Sequence, residues 1–86
     1  MTAHDTVIQA ENLPELVVMA YREALLDDSL DAGSDFFEAG GDSMAAFQIT
    51  ARLGEALGAE VPVALVFAYP TPADLAYVIE LDAAAN

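Results

Sequence analysis

Cysteine and lysine are both absent from this chain of 86 residues, and each absence excludes a kind of chemistry. Without cysteine the protein has neither a disulfide framework nor a thiolate metal site. Without lysine, Gly40 and Gly41 cannot belong to a P-loop, which needs a lysine to reach phosphates. The only histidine, His4, lies in a stretch without helical periodicity, so a serine nucleophile has no positioned base. We therefore expect neither catalytic residues nor a metal ion.

Long apolar runs are also missing. No segment approaches the roughly 18 uninterrupted apolar residues that a membrane span requires. The N-terminal residues "MTAHDTVIQAEN" lack the basic and apolar regions of a secretory signal. The length allows one small domain with a single core. We expect a cytoplasmic protein that does not bind membranes.

Positive charge is scarce. Fifteen acidic residues face only two basic ones, Arg22 and Arg52, and the formal net charge is −13. Such a surface repels nucleic acid and anionic membranes, and it attracts basic proteins over a range set by salt. Two interpretations stay open: the charge attracts partners, or it only keeps a small protein in solution.

Apolar periodicity predicts an all-α fold, a small bundle of three main helices and one short helix. Residues 1–12 are expected to form a tail, residues 13–82 the domain and residues 83–86 a second tail. The first helix is predicted from Leu13, with Pro14 and Glu15 suited to its first turn. Its buried stripe is expected within Leu16, Met19, Ala20, Glu23, Ala24 and Leu26. In the long loop that follows, Leu30 is expected to be the one large apolar anchor.

The second helix is predicted from Ser43 to Leu57, with Gly58 placed to end it. It has two apolar faces at about 100° per residue: Ala46, Ile49, Leu53 and Leu57 on one side, and Met44, Phe47 and Ala51 on the other. Since one core needs one stripe, Met44 and Phe47 are candidates for a partner-docking patch. The alternative is that Phe47 packs under the long loop, against Phe36, Phe37 or Phe67.

Two further helices are expected after Gly58. The β-branched segment "VPVALVFAYP" is compatible with a strand, but no second strand is available to pair with it, so a short helical turn from Val63 to Phe67 is predicted. The last helix has Thr71 as its N-cap, Pro72 as its first residue and Asp74 as an acidic variant of the capping box. Its buried side is expected to include Leu75, Val78, Ile79 and Leu81.

Two sequence motifs resemble known sites, a hydrolase nucleophile and a calcium-binding loop, but each lacks a residue that its function requires. Ala45 replaces the last glycine of the hydrolase pattern G-x-S-x-G. The acids of the loop imitate a calcium-binding loop, but Ala32 stands where glycine is needed, and Gly40 and Gly41 interrupt the exiting helix. Neither serine hydrolysis nor calcium binding is therefore expected. A serine directly before an apolar helix, Ser43, is then either a helix N-cap or itself a substrate, and both can hold together.

"DFFEAGGDSMAAFQITARL" followed by "VPVALVFAYPTPADLA" resembles the peptidyl carrier proteins, or thiolation domains, of nonribosomal peptide synthesis. The resemblance covers about residues 16 to 80. It implies that Ser43, preceded by Gly41 and Asp42, receives a 4′-phosphopantetheine arm from coenzyme A. The thiol of that arm holds aminoacyl or peptidyl groups as thioesters. The implied partners are a phosphopantetheinyl transferase, an adenylation enzyme, and condensation or tailoring enzymes.

Some features of the resemblance leave alternatives open. Met44 and Ala39 both stand where the family commonly has leucine, which affects partner choice rather than attachment. The double glycine and the "FFE" sequence favour the peptidyl class, whereas the strong acidity favours an acyl carrier of polyketide or fatty-acid synthesis. An unmodified acidic interaction domain is the alternative from another class. The initial methionine and short flanks suggest a free-standing carrier, and a monomer is expected.

Overall fold

Four helices follow one another in the computed structural model, which describes the backbone of residues 12–85 and the side chains of residues 12–82. They are α1 Leu13–Leu25, α2 Ser43–Leu57, α3 Ala64–Ala68 and α4 Pro72–Ala85. Helix α1 packs against both α2 and α4, and α3 packs against α2. The predicted all-α fold is confirmed. The expected N-terminal tail lies outside the described residues, apart from Asn12, while the backbone of residues 83–85 continues α4 beyond the expected boundary.

One apolar stripe of each long helix faces a common core, and two residues of the long loop between α1 and α2 complete it. The two loop residues are Leu30, as predicted, and Phe36, which is fully buried. The buried apolar side chains are Leu13, Val17, Ala20, Tyr21, Leu30, Phe36, Ala45, Ala46, Ile49, Leu53, Val66, Leu75, Ala76 and Ile79.

The stripe predicted for α1 is wrong in part. The buried residues are Leu13, Val17, Ala20 and Tyr21. Met19 is exposed, and Leu26 lies just past the helix with 92% of its surface exposed. Met19 and Leu26 are as apolar as Leu13 and Val17, which are buried in their place. The spacing of apolar residues alone therefore could not predict which face of α1 meets the core. Tyr21 decides it, because its hydroxyl donates to the Pro70 carbonyl at 2.8 Å.

Helices α1 and α2 end in the same backbone conformation with different residues. Gly58 follows α2 with φ 66°, and its N–H donates to the Gly54 carbonyl, as the sequence predicts. Leu26 follows α1 with φ 54°, and its N–H donates to the Arg22 carbonyl. Glycine adopts this left-handed conformation at no steric cost, whereas leucine adopts it only with a steric penalty.

The segment "VPVALVFAYP" contains a short helix rather than a strand, and α3 begins and ends one residue later than predicted. Thr71 caps α4, since its hydroxyl accepts a hydrogen bond of 3.2 Å from the Asp74 N–H. Leu75 and Ile79 are buried as expected. Leu81 is exposed, and Ala76 takes its place in the core.

Candidate functional site

Three aspartates shape the long acidic loop from within. Each accepts hydrogen bonds from N–H groups two or three residues further on, which is an Asx turn. The backbone distances are 2.8–3.0 Å, from Ser29 to Asp27, from Gly33 to Asp31, and from Phe37 and Glu38 to Asp35. The hydrogen bonds from Ser29 lower the pKa of Asp27. Among residues 12–85 no cluster of acids or histidine is arranged to hold a metal ion. The acids thus have a structural role that composition did not reveal.

The loop approaches α2 across the ring of Phe36. A Cβ atom added to Gly41 would lie 2.4 Å from that ring, so no larger residue fits there without displacing it. The Gly41 N–H donates to the Phe36 carbonyl at 2.9 Å. Gly40 has a positive φ of 90°, whereas Gly41 does not and is required for close packing instead.

A single carbonyl, that of Pro70, ties this loop to two other parts of the fold. It accepts the Phe36 N–H at 2.9 Å and the Tyr21 hydroxyl at 2.8 Å. The rings of Tyr21 and Phe36 meet edge to face with centroids 6.0 Å apart. Burial of Tyr21 raises the pKa of its phenol, and the negative charges of Asp35 and Asp74 raise it further. Phe36 is therefore held in place by Tyr21 of α1 and by Pro70, which lies two residues before α4.

Helix α2 begins with an aspartate cap. Asp42 has an extended backbone, and its Oδ1 accepts the Ala45 N–H at 2.9 Å. We expected Ser43 to be the N-cap, which is wrong: Ser43 is the first helical residue. Both residue types cap helices, but a carboxylate also interacts favourably with the positive end of the helix dipole.

Ser43 stands free at the start of α2. Its side chain is exposed, and within the described part of the chain its hydroxyl has no hydrogen-bond partner. The Ala45 N–H is bonded to Asp42, while helix geometry leaves the N–H groups of Ser43 and Met44 without an intrahelical acceptor. An exposed hydroxyl beside free N–H groups fits a phosphodiester, since anions are favoured at helix N-termini. The negative charge of Asp42 opposes this attraction.

The second apolar face of α2 is uncovered. Met44 is 66% exposed and Phe47 is 67% exposed. The alternative packing of Phe47 under the loop is wrong, because Phe37 is the residue that meets the rings of Phe36 and Phe67 there. Phe47 borders a shallow groove of about 240 Å³, which sequence reasoning did not anticipate. Its lining residues are Phe47, Thr50, Ala51, Gly54, Glu60 and Val61.

A helical bundle that presents an unpaired serine hydroxyl at the start of its second helix has the features of a carrier domain. The family model described as the phosphopantetheine attachment site matches residues 15–79, and the chain belongs to this family. It is a carrier protein domain, and its cofactor is 4′-phosphopantetheine. The resemblance noted in the sequence is thereby confirmed.

Very large synthases and a small carrier are among the proteins to which the chain is similar. A component of the linear gramicidin synthase of Brevibacillus parabrevis is 35% identical over 69 residues, 80% of this chain and 1% of that protein. Polyketide synthase GfsA of Streptomyces halstedii is 47% identical over 47 residues, 55% of this chain and again 1% of the synthase. This chain therefore spans a very small part of either relative.

The fold has a close counterpart among solved structures. BlmI, a type-II acyl-carrier-protein from Streptomyces verticillus involved in bleomycin biosynthesis, superposes with a TM-score of 0.80 at 24% identity. The superposition covers 92% of this chain and 95% of BlmI. None of the helices within residues 12–85 is long and apolar enough to cross a membrane.

Proposed function

We propose that Ser43 is the attachment residue for 4′-phosphopantetheine, and that the domain delivers aminoacyl or peptidyl groups to enzymes of nonribosomal peptide synthesis. When bound, the arm supplies a terminal thiol that holds such groups as thioesters. The observation that carries the proposal is the Ser43 hydroxyl, which is exposed and unbonded at the first position of α2. A partner's active site reaches such a hydroxyl without breaking any contact of the fold.

The residues before Ser43 hold it in place. Gly41 lies against the Phe36 ring, which fixes the path of the chain two residues before the serine. Asp42 caps α2 and sets where the helix begins. In this proposal neither residue reacts. Both are positioning residues for the hydroxyl.

Met44 and Phe47 form the docking patch for partners that act on Ser43. They lie one and four residues after the serine, so a protein that reaches the hydroxyl also covers this face of α2. Methionine adapts to apolar surfaces of different shape. The proposed partners are a phosphopantetheinyl transferase, an adenylation enzyme, and condensation or tailoring enzymes. The net charge of −13 favours rapid encounter with basic surfaces, which suits brief binding.

The direct test is intact mass after incubation with coenzyme A and a promiscuous phosphopantetheinyl transferase. The wild-type protein is expected to gain the mass of one phosphopantetheine, and Ser43→Ala is expected to gain nothing. Ser29→Ala is the matched control, because Ser29 is an exposed loop serine that binds only Asp27. Modification of Ser43→Ala, or failure of the wild-type protein to be modified, would overturn the proposal.

An acyl carrier of polyketide synthesis is the second candidate. The similarity to GfsA, a polyketide synthase, favours it, whereas the similarity to linear gramicidin synthase favours the peptidyl class. Loading of the modified protein separates the two. Thioester formation from an amino-acid panel by an adenylation enzyme supports the peptidyl class, and transfer from malonyl-coenzyme A by a malonyl transferase supports the acyl class.

A further inference from the structure

The outer face of α4 is apolar although it does not meet the core. Ala73, Tyr77 and Leu81 follow one another at four-residue spacing, so they form one stripe along the helix, which we call the α4 stripe. Tyr77 is 64% exposed, Leu81 is 52% exposed, and Ala73 is exposed as well. The opposite side of α4, which includes Leu75 and Ile79, is buried in the core. A helix that is apolar on both sides is typical of one that is covered on both sides.

The α4 stripe lies apart from Ser43 and from the exposed face of α2. Helices α2 and α4 both pack against α1 and turn their buried sides to one core, so their outer faces point in different directions. At 1.5 Å per residue, Tyr77 and Leu81 are about 8 Å and 14 Å along the helix from Pro72, at the end of α4 that is nearest to Phe36. A protein bound to the α4 stripe therefore leaves the Ser43 hydroxyl accessible.

Carboxylates border the α4 stripe on both sides, and no positive charge of α4 balances them. At about 100° per residue, Asp74 falls on one side of the stripe and Glu80 on the other. Both are exposed, and neither side chain has a hydrogen-bond or ion-pair partner among the described residues. Helix α4 contains no basic residue. The two arginines are engaged elsewhere, since Arg22 donates to a loop carbonyl and Arg52 pairs with a carboxylate of α1.

This arrangement of charge selects one occupant for the stripe. An apolar stripe between unpaired carboxylates complements an amphipathic helix whose apolar side chains are flanked by lysines or arginines. A second copy of this chain would bring Asp74 and Glu80 against the same carboxylates, with a net charge of −13 on each molecule. Residues 1–11, "MTAHDTVIQAE", contain two acids and no lysine or arginine, so they do not complement the carboxylates either.

We propose that the α4 stripe binds a basic amphipathic helix of another protein, with apolar side chains against Tyr77 and Leu81 and with lysines or arginines paired to Asp74 and Glu80. The bound helix packs on α4 from outside, as α1 does from the core side. The surface holds the domain on its partner while Ser43 stays exposed. The proposal goes beyond the proposed function and does not depend on modification of Ser43.

The test is the fluorescence anisotropy of a labelled synthetic peptide titrated with the unmodified protein. The peptide is designed as a helix with leucines at four-residue spacing and lysines on both sides of them. A peptide of the same composition, with its leucines spread around the helix, is the matched control. The first peptide is expected to bind, and the second to bind about tenfold more weakly or not at all, because it presents no apolar stripe.

Variants locate the peptide on the protein. Tyr77→Ala, Leu81→Ala and Glu80→Lys are each expected to raise the Kd of the first peptide about five- to tenfold, through loss of an apolar contact or repulsion of a lysine. Met19→Ala and Glu55→Lys are the matched controls, since Met19 is 55% exposed on α1 and Glu55 is exposed on α2. Each control is expected to change the Kd less than about twofold.

The other occupants and sites give different results. Equal binding of the two peptides, or no binding, would overturn the proposal. An equal rise of Kd for Glu80→Lys and Glu55→Lys would do so as well, because only total charge would then matter. If Phe47→Ala weakens binding as much as Tyr77→Ala, the peptide lies on α2 and the proposal is wrong. Sedimentation of the wild-type protein as a dimer that Tyr77→Ala separates would show that a second copy covers the stripe instead. Glu80→Lys decides the question if Tyr77→Ala fails to fold.

A last measurement separates this proposal from the proposed function. A saturating concentration of the first peptide is expected to change the rate of Ser43 modification less than about twofold, because the stripe lies apart from the hydroxyl. Blocked modification would mean that the peptide reaches the start of α2, which contradicts the proposal. If the wild-type protein is not modified even without peptide, the proposed function fails, while the Kd values still decide whether the α4 stripe binds a basic helix.

Discussion

The two faces of helix α2 have the same apolar character but opposite surroundings. Ala46, Ile49 and Leu53 are buried against α1 and the rest of the core. Met44 and Phe47, on the other face, are each about two-thirds exposed. A helix that served only the core would be polar on its outer side. In the proposed function, the buried face of the helix serves folding and the exposed face serves partner docking.

The two faces should respond to different measurements. Changes on the buried face are expected to alter the free energy of unfolding. Changes on the exposed face are expected to alter the kinetic constants of partner enzymes, with little effect on unfolding. The separation can be tested at α2 itself and then at the contacts that hold its first turn.

The largest effect is expected from Ile49→Ala. Ile49 is fully buried, so its truncation removes apolar contacts and leaves a cavity, at a cost of about 2–5 kcal/mol. Phe47→Ala removes a larger side chain but is expected to cost about 0.5 kcal/mol or less, since Phe47 is mostly exposed. Urea unfolding followed by circular dichroism measures both values. A similar loss for the two variants would show that the exposed face also supports the fold.

Gly41→Ala is expected to destabilise the protein by about 1–3 kcal/mol, because the new methyl group would overlap the Phe36 ring. Displacement of Phe36 is also expected to move the start of α2. We therefore expect slower modification of Ser43 as well. Gly40→Ala is the control: it strains the backbone at a positive φ, but its methyl group meets no atom within 4 Å. Equal effects on modification would show that backbone conformation, not the ring, positions the serine.

Tyr21→Phe is expected to cost about 1 kcal/mol near neutral pH, through loss of the hydrogen bond to Pro70. The difference between wild type and variant should shrink as pH rises above about 10. Folding raises the pKa of Tyr21 above its usual 10.0, so the unfolded phenol ionises first and the wild-type protein loses stability with pH. Urea unfolding at a series of pH values measures this. A constant difference would contradict the raised pKa.

The smallest effect is expected at the ends of the first two long helices, and its sign differs between them. Leu26→Gly should stabilise the protein by about 0.5–1 kcal/mol, because it relieves a left-handed leucine that is almost fully exposed. Gly58→Ala should destabilise it by a similar amount, for the opposite reason. Thermal unfolding of the two variants beside the wild type is the measurement. A destabilising Leu26→Gly would reveal a contact of Leu26 that offsets its strain.

The sequence predicted those elements whose signals are local. The end of α2 follows from Gly58, and the start of α4 follows from Thr71 and Pro72. Ser43 was identified through its neighbours in the chain, and its exposure agrees with the proposed role.

Features that depend on distant residues were not predictable. The rotation of α1 is set by Tyr21, which binds the Pro70 carbonyl 49 residues away. Asp42 rather than Ser43 caps α2, although both residue types are suited to that position. The need for Gly41 comes from the ring of Phe36, five residues earlier in the chain. Periodicity and short motifs contain no information about such contacts.

The aspartate cap has a consequence for the proposed attachment of phosphopantetheine to Ser43. Asp42 supplies the acceptor that the first turn of α2 needs, so esterification of the neighbouring hydroxyl removes nothing from the helix. Had the serine itself been the capping residue, the proposed attachment would break a bond on which the helix depends. With the two roles on adjacent side chains, the proposed tether can be added while the architecture of the protein stays the same.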